Sequence, residues 1–98
     1  MTPVILSEEA LADAAEIADW YIQEDALHAV QWFRDELSKA VARLALTPGL
    51  GTPGPTGTRR LPLHRFPVSL IYRVRPEGVR VIAVAGQRRR PGYWAGRR

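Results

Sequence analysis

The chain has 98 residues, 46% hydrophobic and 24% charged, with a net charge of +4 and a sequence pI near 10.3. That length suits one domain covering residues 1–98, and the composition is far from the low-apolar, high-charge balance of disordered chains. No apolar run approaches the roughly 20 residues that cross a bilayer, and Met1-Thr2-Pro3-Val4-Ile5-Leu6 lacks the basic region of an export signal, so a cytoplasmic chain without membrane attachment is expected. There is no Cys, and the two His residues are isolated, which leaves no spacing for a metal site and no sign of a cofactor.

In chain order, the short apolar run Val4-Ile5-Leu6 leads to Ser7, a residue type that caps helix N-termini by accepting their free amide hydrogens. A strand and then a helix are expected. In that helix Leu11, Ala14, Ala15, Ala18, Tyr21 and Ile22 recur at helical spacing, while Glu9, Asp13, Glu16 and Asp19 take the polar side. A second stripe, Ala26, Val30, Phe33, Leu37, Ala40, Val41 and Leu44, predicts a second helix with Asp25 as its N-cap, and the short link predicts an antiparallel hairpin. The stretch from Thr47 to Gly57 is rich in Pro and Gly and reads as a loop.

Beyond it the period changes to two. Val68, Leu70, Tyr72 and Val74 alternate with Ser69, Ile71, Arg73 and Arg75, Pro76-Glu77-Gly78 supplies a tight turn, and Val79 to Ala85 forms the returning strand. Arg59 to Leu63 predicts a further strand, which Pro62 confines to an edge or a bulge. The expected fold is α+β in the order β-α-α-β-β-β, a helical hairpin packed on a small antiparallel sheet.

Charge divides along the same boundary. Residues 1 to 50 hold three bases (Arg34, Lys39, Arg43) and nine acids, a net of −6, whereas the rest holds 11 Arg and the single acid Glu77, a net of +10. The second half is therefore expected to meet something anionic, such as a nucleic acid or an acidic protein segment.

With Arg60-Leu61-Pro62-Leu63-His64-Arg65-Phe66-Pro67, then Leu70-Ile71-Tyr72-Arg73-Val74, and the ending Gln87-Arg88-Arg89-Arg90-Pro91-Gly92-Tyr93-Trp94, this order of elements resembles the ParE/RelE toxin superfamily and its plasmid-stabilisation relatives. The resemblance covers nearly the whole chain and is closer to the ParE-like branch. It implies the toxin of a type II toxin-antitoxin pair, with a cognate antitoxin that is a small DNA-binding repressor carrying an acidic tail. ParE-like members act on DNA gyrase by binding; RelE-like members cut messenger RNA on the ribosome. A homologue kept only as an antitoxin-binding module is the third possibility the resemblance leaves.

The residues bear on that choice. RNA cleavage through a ribose 2′-hydroxyl needs a group that moves a proton, and Arg stays protonated. Tyr72 belongs to the apolar side of its strand and Glu77 to a turn, which leaves His64 and Tyr93 as candidates, with Arg73 and Arg88 matching phosphate-contacting positions by resemblance. His64 also reads as an ordinary surface histidine, and the rings of Tyr93 and Trp94 as closing one end of the core. The expected target-binding set is Arg65, Arg73, Arg88, Arg89, Arg90, Tyr93 and Trp94. Trp20 and Trp32 fall off the apolar stripes and are the expected antitoxin anchors, unless they pack on each other across the hairpin.

Overall fold

The computed structural model describes residues 1–98. Its elements are β1 (Val4–Leu6), α1 (Glu8–Gln23), α2 (Leu27–Leu46), β2 (Thr52–Pro53), β3 (Arg59–Pro62), β4 (Val68–Arg75) and β5 (Gly78–Gly86), with a short 3-10 turn at Pro55–Gly57. The five strands make one sheet in the order β1-β5-β4-β3-β2. The α+β fold and the strand-helix-helix-strands order are as expected, with one difference: β1 lies parallel to β5, so the sheet is mixed.

Ser7 caps α1 as predicted, its Oγ accepting from the Ala10 amide at 3.1 Å, and Glu8 and Glu9 sit favourably in the first turn. Asp25 does not cap α2. Ala26 holds that position without a side-chain hydrogen bond, and Asp25 instead takes the turn between the helices at φ 56°, a left-handed conformation that Asp tolerates better than most residues. Val30, Phe33, Ala40 and Leu44 of α2 are buried as their spacing predicts. The inward stripe of α1 differs from the expected one: Ala10 and Asp13 are buried and Ile17 packs on the core, whereas Leu11 and Ile22 are 55% and 49% exposed.

The hairpin covers one face of the sheet, where Phe33, Leu44, Leu70, Tyr72, Val81 and Val84 are at most 1% exposed. Tyr72 is core, as read from its alternation, and its hydroxyl accepts from the Gly51 amide at 2.7 Å while donating to the Pro48 carbonyl at 2.8 Å. These bonds fix the loop between α2 and the sheet. Gly51 is required there, since a Cβ would stand 2.7 Å from the Arg60 carbonyl oxygen. The loop contains strand β2, which pairs with Arg59 and Arg60 only, so β3 becomes an edge at Pro62, where a missing amide costs nothing.

On the opposite face the register of β4 against β5 skips Ile82 beside Ile71, a bulge that places Ile71, Ile82 and Ala83 in a second, smaller apolar cluster. Ala85, Tyr93 and Trp94 pack against it. The C-terminal segment thus folds back over part of the helix-free face.

Candidate functional site

The site forms where β5 outruns its neighbour. β1 pairs with β5 at Val79, Arg80 and Val81 only, so the outer edge of β5 beyond that point has no partner strand. Side chains take its polar groups instead. Asp13, its side chain 4% exposed, accepts the Val84 amide on Oδ2 at 3.0 Å. Arg97 grips the same carboxylate with both arms, Nη1 to Oδ2 at 2.6 Å and Nη2 to Oδ1 at 3.2 Å, and donates from Nη1 to the Ile82 carbonyl at 3.1 Å. The Tyr93 hydroxyl stands 2.9 Å from Asp13 Oδ2 and 3.2 Å from the Val84 carbonyl. It has one hydrogen, and the shorter, charged contact takes it.

Around this centre Arg89 pairs with Glu16 at 3.0 Å, lies 3.8 Å from Asp13 Oδ1, and sets its guanidinium 4.0 Å above the Tyr93 ring. Burial, and after it the hydrogen bond to Asp13, push the Tyr93 phenol up to about 12, against the opposing pull of Arg97 and Arg89. The hydrogen bond to Asp13 likewise raises Arg97 above its ordinary value. Tyr93 is therefore protonated at neutral pH, with its hydrogen directed to Asp13.

Next to the cluster a groove of about 710 Å³ runs between α1 and the ends of β4 and β5. Ile17, Val68 and Val84 give it an apolar floor, Trp20 and Tyr21 one wall, and Arg88 and Arg89 the other. The Arg88 guanidinium stacks 3.7 Å over the Trp20 ring. A second groove of about 490 Å³, on the helix-free side, brings Arg60 and Arg90 beside Tyr93 and Trp94.

The sequence-predicted residues are thus only partly gathered. Trp20, Arg88, Arg89 and Tyr93 meet at one place, with Arg90 and Trp94 around the corner. Arg73 lies apart, directly opposite Arg80 in the sheet register, its guanidinium donating to the Thr56 carbonyl. Arg65, with φ 72°, and His64 are exposed in the loop before β4, and His64 lines neither groove. Trp32 is 52% exposed and meets His28 edge-on at 5.0 Å; Trp20 pairs with Tyr21 instead, so the two tryptophans do not stack on each other. Asp13 and Arg97 were missed from the sequence. Its acidic neighbours group Asp13 with the polar side of α1, although it shares the i, i+4, i+8 stripe of Ile17 and Tyr21, a signal that points to it.

Two of the 11 Arg residues in the second half, Arg89 and Arg97, have a carboxylate partner; the other nine have none. The chain is thus a two-layer α+β domain with a basic strand-and-tail side. Comparison with known proteins gives it a family: residues 4–91 match the family of the ParE toxin of type II toxin-antitoxin system, parDE, and the chain belongs to that family. Among solved structures, a chain of the chromosomal ParDE toxin-antitoxin system from P. aeruginosa is similar, with a TM-score of 0.78 and 24% identity over 88% of this chain and 96% of that one. No curated protein matches the sequence.

Proposed function

We propose that this type II toxin-antitoxin toxin arrests growth by binding DNA gyrase through its Arg-rich tail and sheet side, and that a cognate antitoxin silences it by occupying the groove between α1 and the sheet. The observation that carries this reading is the uncompensated charge around the C-terminal segment: Arg88 and Arg90 are exposed, flank both grooves and have no acidic partner in the chain. Desolvating them needs an anionic or strongly hydrogen-bonding surface from outside. The antitoxin half of the reading is supported by the apolar floor of the larger groove and by Trp20 at its wall, since a half-covered aromatic beside an apolar cleft is a common anchor.

A binding role is favoured over RNA cleavage by the state of the proton-moving groups. Tyr93 holds its hydrogen toward Asp13, and His64 stands apart from both grooves and from Arg88. The test is double charge reversal, Arg88→Glu with Arg90→Glu, leaving the internally paired Arg89 in place. Growth arrest on induction and inhibition of gyrase supercoiling by purified protein should both be lost, with an unchanged circular dichroism spectrum. Full inhibition by the reversed variant would refute this assignment of the target surface, and codon-specific cleavage of translated messages would replace it with the ribonuclease reading. A folded parent that never arrests growth would be an antitoxin-binding homologue.

A further inference from the structure

The polar contacts of the C-terminal segment with the rest of the fold converge on Asp13. Its own backbone bonds are isolated turns, Tyr93 N–H to the Arg90 carbonyl at 3.3 Å, Ala95 N–H to Gly92 at 2.9 Å and Arg97 N–H to Trp94 at 2.9 Å, and it joins no strand ladder. Its anchors to the rest of the fold are the packing of Tyr93 and Trp94 on the small cluster, the Arg88 stack on Trp20, the Arg89–Glu16 ion pair, the Arg80 Nε bond to the Arg98 carbonyl at 2.9 Å, and the bonds that converge on Asp13 and the β5 edge. The groups being satisfied there, the Ile82 carbonyl and the Val84 amide, are those a neighbouring strand would have used. Asp13 therefore replaces a missing strand with one buried carboxylate, and it does so from the helical layer, 84 residues away in sequence from Arg97.

We infer that Asp13 is the positioning residue of the C-terminal segment: through Arg97 and Tyr93 it latches that segment onto β5 and so fixes the direction in which Arg88, Arg90 and Trp94 are presented. The inference rests on the proposal that those residues meet the target. The Asp13 side chain itself is only 4% exposed. Removing its charge leaves one neutral acceptor oxygen for the Arg97 guanidinium, the Val84 amide and the Tyr93 hydroxyl, and loss of the charged bonds is enough for about a 10-fold or larger change in local opening.

Asp13→Asn nearly keeps the shape and presents an amide where an anion stood. Residue-resolved hydrogen exchange on the whole chain should show the Val84 and Arg97 amides exchanging about 10-fold faster or more, while the β4 amides keep their rates. Growth arrest should fall in parallel. Arg97→Lys keeps a cation but loses the fork that grips both oxygens of Asp13, so it should lie between parent and Asp13→Asn in exchange and in arrest alike. A residue of merely structural importance would not make the two scales move together. Faster exchange with undiminished growth arrest overturns the inference, and so does lost arrest with unchanged exchange. If Asp13→Asn does not accumulate folded, Arg97→Lys and Tyr93→Phe carry the same comparison. If the parent does not arrest growth, the target reading and the presentation role both fall, and the exchange comparison still decides whether the latch exists.

Discussion

The two faces of the sheet are closed by different physics. The helix-covered face is sealed by a continuous apolar cluster in which Phe33, Leu44, Leu70 and Val81 are at most 1% exposed. The other face buries a cluster of only three apolar residues, Ile71, Ile82 and Ala83, and its cover is a segment held by directional bonds to a carboxylate. Burial of apolar area is graded and adapts to small changes, whereas a polar cluster of this kind depends on each partner being present. The first face sets global stability. The second sets the shape of the surface where the uncompensated arginines stand.

The sharpest way to break that division is Phe33→Ala on the sealed face. Phe33 touches the core from the middle of α2 and meets Phe66 edge-on at 5.8 Å, so its loss should cost about 3–5 kcal/mol in global unfolding. Denaturant titration should show a lower midpoint with an unchanged slope. A loss under about 1 kcal/mol would mean that this face is not the principal core.

A smaller effect is expected from Tyr72→Phe, which leaves the ring in the core and deletes two bonds to the loop before β2. The Gly51 amide loses its acceptor and the Pro48 carbonyl its donor, at about 1–3 kcal/mol, with faster proteolysis in residues 47–57 as the local readout. Unchanged proteolysis would show that the loop is held by β2 pairing and the Arg59 bonds to the Gly49 and Gly51 carbonyls instead.

Much of this fold was legible because local chemistry and the global arrangement agree. Ser7 at the cap, the Val30-Phe33-Ala40-Leu44 spacing and the switch to period two after the Pro/Gly loop each mark an element that the structure contains. The parallel β1–β5 pairing was not legible, because strand direction depends on a long-range partner that periodicity does not name. The inward face of α1 was misread for a compositional reason: Ala at positions 10, 12, 14, 15 and 18 lies all around the helix and gives no direction. Leu11 and Ile22 then pulled the expected stripe away from Ile17, and Asp13 went with the solvated acids. The Arg-rich tail was visible, but which arginines are spent internally was not, since Arg89 and Arg97 find their carboxylates only when the chain closes.

The smallest expected effect tests the proton of Tyr93, and its sign follows from the raised pKa. The phenol titrates near 10 in an unfolded chain and at about 12 in the folded one, so between those values the folded state binds more protons than the unfolded state. Stability contributed by this group is complete below pH 10 and is lost as pH rises toward 12. Tyr93→Phe lacks the group, so at neutral pH it should be less stable than the parent by about 0.5–1.5 kcal/mol, the range for one hydrogen bond. Above pH 10 that gap should close. Tyr21, Tyr72 and the other ionisable groups are common to both proteins and largely cancel in the difference. Paired urea titrations from pH 8 to pH 11.5 measure it directly. A gap that stays constant or widens across that range would show that the Tyr93 hydroxyl does not donate to Asp13, and that the tail is latched by Arg97 alone.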